Sequence, residues 1–95
     1  MRVQFIYREN GPEKLVCDAE IVFDDGILEG MKLVGFSLWQ GAEGQTFVTF
    51  PSRAFGAGSD RKYFDFLRSL EASSGEAKRV KAWILEQYEA SRQAA

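Results

Sequence analysis

The chain has 95 residues, 45% of them apolar, and a formal net charge of −2. That length suits one domain spanning residues 1–95. It contains no histidine and a single cysteine, Cys17, which excludes Ser/His and Cys/His devices, the usual zinc ligands and an internal disulfide. The expectation is a protein that is not an enzyme and needs no metal or cofactor. The apolar runs are too short for a transmembrane helix, and the first residues lack the apolar core of a secretory signal. A cytoplasmic protein without a membrane partner or an evident small-molecule substrate is expected.

In chain order, residues 2–8 alternate Val3, Phe5 and Tyr7 against Arg2, Gln4 and Arg8, the pattern of a strand with one buried face. Asn10-Gly11-Pro12 predicts a turn, and Asn-Gly favours a tight hairpin. A second strand over residues 14–23 sets Leu15, Cys17, Ala19, Ile21 and Phe23 on one side. Asp24-Asp25-Gly26 predicts the next turn and a third strand over residues 27–40. Gly30 and Gly35 are its candidate bulges. Simple alternation pairs Leu33 with Ser37 and Trp39 on one face, and Val34 with Phe36 and Leu38 on the other. Residues 46–50 are all β-branched or aromatic and end a strand at Pro51, which has no N–H for a ladder. Phe47 and Thr49 oppose Val48 and Phe50, so both faces carry bulk and the strand is expected to be covered on two sides.

Residues 53–62 read as a mobile irregular stretch holding Gly56 and Gly58. Residues 63–68 fit either a fifth strand or a short helix. Ser73 and Glu76 have capping-box spacing and predict a helix over residues 74–92 with Val80, Trp83, Ile84, Gln87 and Tyr88 on its apolar face. The last residues, 92–95, are expected to fray. The predicted fold is α+β: an antiparallel meander sheet of four to five strands with a C-terminal amphipathic helix packed on it.

Charge is unevenly spread. Residues 1–51 hold 4 Lys/Arg and 8 Asp/Glu, net −4, whereas residues 52–81 hold 7 and 4, net +3. A basic segment on an acidic body is a local electrostatic footprint. Lys78, Arg79 and Lys81 fall in the early turns of the helix, the wrong end for its dipole. Aromatic residues crowd the same region. Most of these rings are expected in the core, and Phe55 is the one that packing explains least. Gly56-Ala57-Gly58 is not a phosphate loop, lacking its Gly-Lys-Ser/Thr order. Asp24-Asp25 is turn chemistry, and Cys17, on an apolar stripe, is a packed thiol.

Phe47-Val48-x-x-Pro51-Ser52-Arg53, the hairpin before it and Ile84-Leu85-x-x-Tyr88 in the helix resemble the SpoVG family, stage V sporulation protein G. That resemblance covers about residues 21–89. It implies a small α+β protein that dimerises through its sheet. It also implies a DNA- and RNA-binding regulator linked in some bacteria to septation and sporulation. The family's basic residues after Pro-Ser and at the start of the last helix correspond to Arg53 and Arg79. Here the residue after Arg53 is Ala54, and the helix enters through Glu76-Ala77. Charge alone adds Arg61, Lys62, Lys78 and Lys81 as phosphate contacts, and Phe55, the ring least explained by packing, is the candidate stacking surface. The expected partners are a second copy and nucleic acid, with the two basic segments converging beside the end of the fourth strand. The competing expectation is a protein-interaction module that binds no nucleic acid.

Overall fold

A computed structural model describes residues 1–93. Among them lie β1 (Arg2–Ile6), β2 (Leu15–Val22), β3 (Lys32–Gln40), β4 (Thr46–Thr49), β5 (Ser52–Phe55), β6 (Lys62–Asp65) and α1 (Glu76–Gln93). The first four strands form an antiparallel meander in the order β1-β2-β3-β4, and β5 and β6 form a separate two-stranded hairpin. The fold is therefore α+β, with one helix packed on the sheet. The frayed end expected for residues 92–95 is not seen at Arg92 and Gln93, which are helical; for 94 and 95 it lies outside the described residues.

One face of the meander is the core. Cys17, Ala19 and Ile21 of β2, Phe36 and Leu38 of β3, Val48 of β4 and the following Phe50 are buried there against Ile84 and Tyr88 of α1. The helix presents these two because residues four apart stack on one face. Phe5 meets Tyr88 edge to face at 5.6 Å, and Phe36 meets Phe50 at 5.5 Å. Burial pushes the Cys17 thiol up to about 11, the behaviour of a packed sulfur rather than a nucleophile.

Two bulges overturn the simple alternation. Ala19 pairs with Phe36 but Ile21 with Leu33, two steps on β2 against three on β3, so the extra residue falls at Val34-Gly35. An inserted residue reverses the faces beyond it. Leu33 therefore packs against the core, and Val34 is 50% exposed. Gly35 has φ +104°, and a Cβ there would lie 2.7 Å from the Pro51 ring, so only glycine fits. A second shift, between Leu15 and Cys17, sets Leu15 opposite Trp39 and brings Val16 against the core.

The turns also differ from expectation. Asn10-Gly11 is part of a longer connection between β1 and β2, not a two-residue hairpin. Residues 26–31 fold back in successive turns, with the Phe23 N–H bonded to the Met31 carbonyl at 2.9 Å, so β3 starts at Lys32. The capping box is not formed. The helix begins at Glu76, and the Ser74 hydroxyl instead donates to the Glu71 carbonyl at 2.6 Å. β4 is an edge strand with Phe47 44% exposed, not covered on both sides, because the helix covers one face alone.

Candidate nucleic-acid interface

Pairing in the meander stops before Pro51, as its missing N–H dictates. The chain then turns into the hairpin, and the Phe66 N–H donates to the Pro51 carbonyl at 2.7 Å. The stretch expected to be irregular is thus β5, a single 3-10 turn at Gly58–Asp60 and β6. Gly56, at φ +85° with the Asp60 carbonyl 2.6 Å from a would-be Cβ, allows the tight reversal. Of the two readings of residues 63–68, the strand is realised, over Lys62–Asp65.

Cross-strand register pairs Arg53 with Phe64, Phe55 with Lys62, and Ala54 with Tyr63. Phe55, Tyr63, Phe64 and Phe66 are 46%, 66%, 46% and 64% exposed. The expectation that most aromatic residues here are core is corrected: Phe50 is buried, while the hairpin rings face outward. A two-stranded ribbon that pairs with no other strand has nothing to bury them. Arg53 lies over the Phe55 ring at 5.0 Å and Arg61 over the Tyr63 ring at 5.5 Å, contacts that favour a cation through the ring quadrupole. Phe55, Phe64, Asp65, Phe66 and Arg68 line a groove of about 400 Å³. Tyr63 lines another, of about 460 Å³, with Trp39 and Phe47.

The helix cations separate. Lys81 reaches the end of β4, its ammonium 5.1 Å from the Phe50 ring. At about 100° per residue, Arg79 lies about 140° round the helix from the buried Ile84, facing away from the sheet, and is exposed. Lys78 is also exposed, on the flank of Lys81. Lys81, not Arg79, is the helix cation that the fold brings beside Pro51-Ser52-Arg53.

Among the described residues, the carboxylate bridges belong to the Met1 ammonium, Arg8, Lys32 and Arg92. Arg53, Arg61, Lys62, Arg68, Lys78, Arg79 and Lys81 form none. The basic segment is therefore left open to solvent and to an anionic ligand, whereas acidic partners engage much of the charge elsewhere. Sequence reasoning missed Arg68, Phe64 and Phe66. The signal was present: pairing residues 52–55 with 62–65 across the two-glycine turn would have shown that these rings line a ribbon with no layer above it.

No protein-family model matches the chain, and no curated protein or solved structure does. No helix among the described residues is long and apolar enough to cross a membrane. Fold and site together define a small α+β protein bearing a stand-off basic and aromatic hairpin.

Proposed function

We propose that the protein binds nucleic acid, acting as a homodimeric regulator of the kind the SpoVG resemblance implies, with a role in septation or sporulation. The observation that carries this reading is the set of unbridged cations from residue 53 to 81, two of them lying over exposed rings of the hairpin. Arg53, Arg61, Lys62 and Lys81 contact phosphates, Arg68 joins them, and Phe55 offers a stacking surface. Lys78 and Arg79 extend the positive field along the helix. A second copy doubles the phosphate contacts, which a small patch needs for useful affinity.

The test is a binding titration across salt. Log affinity falls with log salt by about 0.9 per phosphate contact on duplex DNA and about 0.7 on a single strand. Reversing Arg53 and Lys62 together (R53E/K62E) lowers affinity at least about tenfold and flattens that slope. Absence of binding by the unaltered protein at low salt ends the reading and leaves the protein-interaction module in its place.

A further inference from the structure

The two faces of the hairpin differ in chemistry. Side chains alternate along a strand, so the register sets Arg53, Phe55, Lys62 and Phe64 on one face and Ser52, Ala54, Tyr63 and Asp65 on the other. The first face holds two cations, two rings and no carboxylate. Its ring centroids are 5.2 Å apart with planes at 76°, an edge-to-face pair that forms a right-angled notch. Each ring is nearly half exposed. Beyond the end of β6, Phe66 and Arg68 continue the groove that this notch opens into, and Asp65, from the other face, lines its edge.

Resting on the nucleic-acid reading above, we propose that this face takes a single strand rather than a duplex. One unpaired base enters the notch, flat on one ring and edge-on to the other, and the flanking phosphates meet Arg53, Lys62 and Arg68. In a duplex both faces of every interior base are covered by neighbours, so an exposed ring finds nothing to stack on. In a single strand those faces are free. The hydrogen-bonding groups on this face are both cations, which suits phosphate oxygens. Stacking is tolerant of base identity because every base has a π face, so this site discriminates strandedness more than sequence.

The experiment uses the full chain with three labelled probes of equal length: oligouridylate, oligothymidylate and a DNA duplex, followed by fluorescence anisotropy at low salt. Both single strands bind tighter than the duplex, and their ratio gives the preference between RNA and DNA. Phe55→Leu with Phe64→Leu weakens single-strand binding about 5- to 150-fold, the range for loss of one stacked base, and leaves duplex binding unchanged. Phe64→Tyr, which keeps a ring, retains affinity. Circular dichroism checks the fold, and F64L alone serves if the double variant melts early. Equal affinity for duplex and single strands, or single-strand affinity indifferent to F55L/F64L, overturns the inference while the nucleic-acid reading stands. Failure of the unaltered protein to bind any of the three overturns both.

Discussion

Arg8 leaves the end of the first strand and crosses the sheet face that the helix does not cover. Its Nη2 donates to Asp18 Oδ1 at 2.8 Å, its Nε donates to Oδ2, and the Ser37 hydroxyl donates to the same carboxylate at 3.3 Å. One strand further on, the Trp39 indole N–H donates to the Thr49 hydroxyl at 3.1 Å. These polar groups tie β2 to β3 and β3 to β4 on the wetter side of the sheet. The Arg8 hydrogen bonds, followed by its charge, hold the Asp18 carboxyl below the usual carboxylate range, with a further contribution from Ser37. The folded pKa lies below the unfolded one, so the contribution to stability is complete above the unfolded value of about 3.9 and is lost as pH falls through the folded value. Because Arg8 is half exposed, the effect is modest. Asp18→Asn lowers the melting temperature by about 2–5 °C near neutral pH, and the gap between the two proteins narrows below about pH 4. A gap of constant size across a pH series of thermal melts would contradict this.

At the scale of elements, strands with one dry face and the amphipathic helix were legible, because periods of two and of 3.6 residues leave direct marks on residues such as Ala19, Ile21, Ile84 and Tyr88. The bulge partners were not. Alternation read through Gly35 assigns Val34 to the core, and nothing local to Leu33 shows the reversal; the register against β2 decides it. The hairpin was obscured for a different reason. Its glycines and small residues resemble a loose connection, and its rings resemble core until the absence of a covering layer is seen. The charge segregation that marks the proposed interface was plain in the sequence, but which helix cation approaches the strand end depends on helix phase, and that phase favours Lys81 over Arg79. Gly35 provides the sharpest test at this scale. Gly35→Ala forces a side chain into positive φ and against the Pro51 ring, at a combined cost of about 3 kcal/mol. Chemical denaturation reads this as a lower midpoint, and a change within about 0.5 kcal/mol would mean that the bulge relaxes freely.

Taken whole, the molecule is more open than its size requires. Its radius of gyration is 14.6 Å, against about 12 Å for a compact chain of this length. Its accessible surface is 7295 Å², against about 5,500 Å² for a compact monomer of this mass. The excess exceeds the area of about 800 Å² that one partner contributes to an ordinary stable interface. Part of it is the hairpin. Part is apolar surface where β2 hands over to β3: Ile27 is 99% exposed, Met31 59% and Val34 50%. The homodimer proposed above would cover this surface, with the apolar turn toward the second copy. Light scattering on the eluting protein gives about twice the chain mass at micromolar concentration, and Ile27→Lys with Met31→Lys shifts it toward the monomer while circular dichroism shows the same fold. A monomer at every concentration would refute the dimer. The contact between Gly35 and Pro51 is the wrist of the protein: the bulge in the third strand sets the angle at which the fourth delivers its projecting arm. A methyl group added there swings the arm while every residue on it stays the same, so the binding proposed above would be lost through aim alone.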